Sequence, residues 1–546
     1  MWARNLLFVG LCAAGLIALG ANLSPAPKPP RVRELRSFDQ PPADLLATVD
    51  RVNAAFRQGT GEPRAERADD LAIARRLSLA LAGTVPSLEE IRWFETLPPE
   101  RRQNEWLASL LTDRRCHDYL AERLARAYVG VQDGPFIVFR RRRFVSWLAD
   151  QLAASRPYNE IVSDLIAESG LWTDRPATNF ITVTIKPDEQ KGPDASALAA
   201  RVSRAFLGIR IDCAECHDHP FEPWKQADFQ GLAAFFGQTQ QKFTGIRDGE
   251  GEYQIENRVT GQMETIAPRV PYQADLLSHD GSLRRQLADW VTHPRNKAFG
   301  RAIANRIWGQ LFGRPLAEPI DDVPSGDVHG DAELPAALDI LADDFAAHGY
   351  DLNRLIRIIA LSEPFTCDSR TAVESEDKAA QDRFTEPGWS VFPITRLRPE
   401  QVVGGLLQAG SLETIDYESH ILVRIGRAAG QNEFIERYGD DGDEEFSPQS
   451  GTIPQRLLMM NGKQVTEKTS DSIVANAATQ IAVLAPSDER AIETAYLAVL
   501  TRRPTAAEAE YFGRALADPS DERSRRQRLE DLYWTLLNST EFSWNH

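Results

Sequence analysis

Apolar residues recur at helical spacing over most of this chain. From about Leu45 to Glu168, stripes separated by three and four residues predict successive amphipathic helices. Ser87-Leu-Glu-Glu90 has the spacing of a capping box, in which a hydroxyl caps a free N–H and a carboxylate returns the bond. It opens a helix through Ile91, Trp93 and Phe94. Residues 143–165 are expected to continue helically, with Trp147, Leu148 and Leu152 on one face. Leu198, Val202 and Ala205 place another helix over 194–207, closed by Gly208. In the second half, Leu334, Leu338, Leu341 and Phe345 form a stripe stopped at Gly349, and Leu352, Leu355, Ile356 and Ile359 form the next. Thr505-Ala-Ala-Glu508 is a second capping box. Leu529, Leu532, Tyr533, Leu536 and Leu537 give the last helix its apolar face.

Two stretches break the helical period. Phe180-Ile-Thr-Val-Thr-Ile185 is rich in β-branched residues and predicts a strand. Residues 240–270 hold turn signals (Asp248-Gly249, Gly251, Gly261) and alternating Tyr253 and Ile255, which predict hairpins. The pattern therefore predicts a mainly α fold: two helical domains, 45–239 and 276–546, with a small β-rich insertion at 240–275 between them.

The N-terminus has a different pattern. Arg4 precedes an uninterrupted apolar run from Leu6 to Ala21, which ends in small residues before a Pro-rich stretch. A single positive charge followed by 16 apolar residues fits an export signal over 1–24. A retained N-terminal anchor is the second choice, because a spanning helix wants about 20 apolar residues. Residues 25–44 read as a Pro-rich linker. The chain is expected to be exported, to the periplasm or cell envelope of a bacterium, with membrane contact only through a retained anchor.

Composition narrows the partners. With 62 basic against 79 acidic residues among 546, the formal charge is −17. That excludes a general nucleic-acid role, which needs cations to displace phosphate counterions. A hydrophobic fraction of 42% is too high for a disordered chain. Five cysteines are too few for a disulfide-dense scaffold, so their placement carries more than their number.

Cys12 falls in the apolar run, and Cys213-Ala-Glu-Cys216-His217 has the spacing of covalent c-type haem attachment. Two thiols about one helical turn apart can add to the two vinyl groups of haem, and the adjacent imidazole can reach the iron as proximal ligand. Other chemistry uses the same residues. Cys213, Cys216, His217 and His219 offer two sulfur and two nitrogen donors, although four ligands within seven positions crowd a tetrahedral zinc. Cys213 and Cys216 also suit a disulfide or redox pair in an oxidising compartment. His219 is too near His217 in sequence to bind the opposite face of one iron. It is assigned a supporting role or that of an alternative metal ligand. Met263, in the predicted β-rich segment, is the candidate distal ligand. Met459, Met460, His117, His279, His293, His329, His348, His420 and His546 are weaker ones. Phe221, Trp224, Phe229, Phe235 and Phe236 could wall a haem pocket or simply fill the core.

The run Phe206-Leu-Gly208-Ile-Arg-Ile-Asp-Cys213-Ala-Glu-Cys216-His217-Asp-His219-Pro-Phe221-Glu-Pro-Trp224-Lys-Gln-Ala-Asp228 resembles the signature of a family of secreted planctomycete proteins. That family pairs a planctomycete cytochrome-C-type domain of unknown function with a second planctomycete secreted domain of unknown function. The stretch from Arg75 to Glu90 resembles the start of the first domain. Asn305-Arg-Ile-Trp308-Gly-Gln-Leu-Phe312-Gly313-Arg314, Asp344-Phe-Ala-Ala-His-Gly349-Tyr-Asp351 and the ending from Asp531 to His546 resemble the second. The resemblance implies that 45–239 is the cytochrome-C-type domain and 276–546 the second domain. It implies a cytochrome label and no settled reaction. Members of the family often carry cysteines in the segment corresponding to 434–455. This chain has Asp440-Asp-Gly-Asp443-Glu-Glu445 there instead.

The first functional expectation is an exported c-type haem protein with an electron-transfer or redox role and a redox partner protein in the envelope. An envelope binding or scaffold protein, whose Cys/His cluster is a structural zinc site or disulfide with no cofactor, is the alternative from another class. A third is an exported hydrolase acting on polysaccharide through a carboxylate pair, which spacing cannot reveal. Arg140–Arg143 is the densest basic run and reads first as a solvated helix face. The acidic run 440–445 lacks the spacing of a calcium loop. Cys116 and Cys367 are candidates for a disulfide.

Overall fold

The computed structural model describes residues 40–59, 64–131, 139–186, 192–256, 261–323, 335–370, 389–417, 419, 455, 457, 459–460, 476–517 and 523–546. The expected signal, most of the linker, the acidic run 440–445, Leu334, His329 and His420 lie outside them. The described chain is mainly α-helical, and its strands form only two-stranded sheets. Among the described residues, no helix is long and apolar enough to cross a membrane.

The helices start and stop where side-chain chemistry dictates. Ser87 Oγ accepts the Glu90 N–H at 3.0 Å, and Glu90 Oε2 accepts the Ser87 N–H at 2.9 Å, opening the helix Leu88–Thr96. The Ser87 hydroxyl also lies 2.8 Å from Thr414 Oγ1, so the cap doubles as a long-range tie. Ser87→Ala is expected to cost about 1–2 kcal/mol in urea denaturation. A loss near zero would mean that this cap holds nothing. Thr505 and Glu508 make the same reciprocal pair before Ala506–Ala517. Gly349, at φ +66°, follows the helix Ala336–Ala347, where a left-handed residue costs glycine nothing.

The predicted hairpins are present. β1 (Thr239–Lys242) pairs antiparallel with β2 (Gly245–Asp248), and β3 (Tyr253–Glu256) pairs with β4 (Met263–Ile266). Two other expectations are corrected. Residues 180–185 are not a strand: Asn179–Thr182 is a short helix, with Phe180 and Ile181 fully buried. Asn179 fixes it, donating through Nδ2 to the Trp172 and Pro176 carbonyls and accepting the Arg140 N–H through Oδ1. The β-branched run thus reflected burial, with its backbone bonds closed locally. The helix expected over 143–165 is two helices, Arg141–Ala153 and Tyr158–Ala167. Ser155 at φ +51° and Pro157 break it, as a left-handed residue and a ring without an N–H must.

Among the described residues, two apolar clusters form the interior. The first joins helices from 45–239 to those between 276 and 365 and to Trp389 and Phe392. At its centre the helix Lys297–Phe312 is buried from Ala298 to Phe312, and Trp308 stacks on Phe312 at 4.3 Å and Phe56 at 5.3 Å. The second cluster runs from Leu397 to Phe542, with Leu79 and Val85 contributed from upstream. Two buried arginines of the helix Asp70–Ala82 stand between the clusters and donate to backbone carbonyls. Arg75 reaches Val499 and Phe542, while Arg76 reaches Phe365, Cys367 and His546. Burial pushes their guanidinium pKa values down to about 10 for Arg75 and about 9 for Arg76.

The motif lies on the surface of the first cluster. The helix Ala195–Val202 widens into a π-turn, Ser203–Leu207, and ends at Gly208 with φ +62°. A 3₁₀ turn, Ile211–Glu215, follows, and the chain leaves through the helix Gln226–Ala234 towards β1.

Candidate functional site

The 3₁₀ turn is pinned by its apolar residues and displays its reactive ones. Ile211 and Ala214 are buried, whereas Cys213, Cys216 and His217 are exposed. None of the four described cysteines is in a disulfide. His217 Nδ1 lies 2.7 Å from the Asp218 carbonyl oxygen. A carbonyl can only accept, so Nδ1 carries the proton, and in the neutral ring Nε2 keeps its lone pair. This is the tautomer that a metal-ligating imidazole adopts, its far N–H held by a carbonyl. Beside it, the Gln226 N–H and then the Lys225 ammonium hold the Asp218 carboxyl below the usual carboxylate range.

His219 plays a different part. Its Nδ1 accepts backbone N–H groups from Glu222 at 2.9 Å and Phe221 at 3.2 Å, and the His219 backbone N–H donates to the Trp224 carbonyl at 2.8 Å. These bonds close the loop after the motif. Among the described residues, no group of three or more His, Cys, Asp or Glu side chains is arranged to hold a metal ion. Of the five aromatics, Trp224, Phe229, Phe235 and Phe236 are buried core, and only Phe221, 91% exposed, stands at the surface.

The structure spreads the other candidates through the molecule. Met263 opens β4 opposite Glu256 and is 61% exposed, a surface position on the hairpin. Met459 is buried and Met460 exposed. His117 bonds the Leu111 carbonyl through Nε2, and His348 sits between Asp44 and Asp344 at the end of a helix. His293 accepts the Arg295 N–H, His546 lies 3.6 Å from Glu541, and His279 is exposed. Cys116 and Cys367 are buried thiols outside any disulfide, which corrects the pairing considered for them. Burial pushes Cys116 up to about 12 and raises Cys367 as well, so both are poor nucleophiles. Within the basic run, Arg141 pairs with Glu122, Arg143 donates to the Thr173 carbonyl and Arg142 is exposed.

Sequence spacing gave no sign of the charged frame around the motif. Arg204 clasps Asp212, the residue before Cys213, through Nε at 2.9 Å and also through Nη2. Arg210 pairs with Asp321 at 2.7 Å. The Asp212 carboxylate, followed by burial and the more distant Asp321, sets the balance that holds Arg204 above the usual arginine range.

The fold and this site define a mainly helical protein that displays a Cys-x-x-Cys-His turn on its surface. Residues 48–241 match the family model PSCyt2, a protein of unknown function (DUF1549), and residues 283–424 match PSD1, a protein of unknown function (DUF1553). The chain belongs to the proteins that pair these two domains, and the motif lies within the first. Comparison with curated proteins and with solved structures gave no match.

Proposed function

We propose that this chain is an exported c-type haem protein with an electron-transfer or redox role in the cell envelope, serving a redox partner protein there. The observation that carries the reading is the His217 ring: Nδ1 is spent on the Asp218 carbonyl, leaving Nε2 as the donor, directly after two exposed thiols. That donor set fits haem c, with thioethers to Cys213 and Cys216 and His217 as the proximal ligand. When bound, the haem would supply a one-electron redox centre. The chain's own residues orient the imidazole through Asp218, close the following loop through His219 and hold the turn down through Ile211 and Ala214. We read the chain as two helical domains, 45–239 and 276–546, with 240–275 as the β-rich insertion. The apolar run from Leu6 to Ala21 supports export.

The test is expression of the whole chain with cytochrome maturation machinery. A red product whose haem stays with the protein after denaturation is expected. A folded, colourless product would overturn the reading, and metal analysis would then separate zinc from a disulfide. In haem-bearing His217→Ala protein the iron's spin-state spectrum should change. An unchanged spectrum would remove His217 from the iron.

A further inference from the structure

We infer that the Cys-x-x-Cys-His site is composite: loop 321–323, from the second matched region, is the positioning half of the turn that carries Cys213, Cys216 and His217. The inference deepens the haem reading and rests on it for its redox consequence, but its geometry stands without haem.

Three ties of different kinds make the case. The first is backbone to backbone: the Val323 N–H donates to the Gly208 carbonyl at 2.7 Å. Gly208 is left-handed there, and a Cβ on it would come within 3.1 Å of Val323 Cγ2, so the close approach suits glycine. The second ties side chain to backbone: Asp322 Oδ1 accepts the Arg210 N–H at 3.2 Å. The third is ionic and centres on one carboxylate. Asp321 takes Arg210 through Nε at 2.9 Å and Nη2 at 2.7 Å, and lies 3.5 Å from Arg204 Nη1. Arg204 in turn holds Asp212, which is bonded directly to Cys213 in the chain.

Asp321 thus steadies the chain on both sides of the Gly208 turn. It lies beyond residues 48–241 and within 283–424, so the domain that carries the motif takes its frame from the other. The charge arithmetic adds a consequence. Arg204 and Arg210 are 42% and 40% exposed, and Asp321 is their shared counter-charge. Removing that carboxylate makes the charge beside the motif more positive by one unit, which favours the reduced state of a redox centre there.

Hydrogen exchange on the full-length chain tests the positioning. In Asp321→Asn, the Arg210 and Val323 amides should exchange about tenfold faster while those of the helix Lys297–Phe312 stay unchanged. Asp321→Glu should restore most of the protection. In haem-loaded protein, Asp321→Asn should also shift the midpoint potential positive, a change that loose packing alone does not dictate in sign. Unchanged exchange at both amides in folded Asp321→Asn overturns the inference. Should that variant fail to fold, wild-type protein gives the same decision. Salt screens partly exposed pairs, so rising ionic strength should speed exchange at these two amides and not in the buried helix; no response overturns the inference. A chain that takes up no haem sinks the haem reading and leaves the exchange result standing. Unchanged exchange in a haem-loaded chain sinks the composite site alone.

Discussion

Glu400→Ala is expected to remove about 3–5 kcal/mol of folding stability, because it strands a buried guanidinium away from the carboxylate that offsets it. Arg123 Nη1 donates to Glu400 Oε1 at 2.7 Å, and the side chains are only 5% and 8% exposed. The pair joins the helix Arg114–Val129, in the first apolar cluster, to the first turn of Pro399–Ala409, in the second. Burial alone would raise the Glu400 pKa. Arg123, with Arg126 and Arg398 behind it, reverses that and holds it at about 2, against an ordinary 4.5. A carboxyl whose folded pKa is depressed contributes its stability fully above the unfolded value. The contribution drains as pH falls from about 4.5 towards about 2, and below both values it is gone. Wild-type stability should therefore fall across that window more steeply than that of Glu400→Ala. The paired replacement Arg123→Met with Glu400→Leu should recover most of the loss, since neither side then buries a lone charge. Denaturation midpoints at neutral and acid pH read all three results. A loss under about 1 kcal/mol, or identical acid slopes, would show that this pair does not join the clusters.

Such a pair is hard to read in a sequence, for a physical reason. Periodicity reports which face is apolar, so the stripes at Leu338, Leu341 and Phe345 and at Leu352, Leu355 and Ile356 all fall on buried positions. Capping boxes are local chemistry, and Ser87–Glu90 and Thr505–Glu508 both form as their spacing demands. Arg75 and Arg76 defeat the same logic. A guanidinium reads as solvated, yet these two are buried because distant carbonyls supply what water would. Residues 180–185 mislead in the opposite direction: β-branched residues signal burial as well as strands, and Asn179 decides for the helix. The candidate site divides along the same line. Cys213, Cys216 and His217 are legible because Cys-x-x-Cys-His is the spacing that the proposed haem attachment would use. The His217 tautomer and the role of His219 needed the loop's backbone. Asp321, far along the chain, needed the tertiary fold.

Replacing Cys213 and Cys216 together by Ser should abolish covalent haem completely while leaving the fold nearly unchanged. A thioether forms only where a thiol adds across a vinyl group, and a hydroxyl does not replace it. Each single variant should keep one link, so haem staining after denaturation should persist in both and vanish in the double variant. Stability separates this from the structural readings. Both side chains are exposed and outside any disulfide, and exposed substitutions usually move stability by less than about 0.5 kcal/mol. Were the pair a structural disulfide, closing so short a loop would still contribute about 2 kcal/mol, and the double variant would lose it. Were it a structural zinc site, the loss would be larger, and a chelator would reproduce it in the wild-type chain. The two measurements cross: haem lost with stability kept supports attachment at these thiols, and stability lost in a chain that never stained supports a structural cluster. Haem that survives denaturation in the double variant would place attachment elsewhere and overturn the assignment of Cys213 and Cys216.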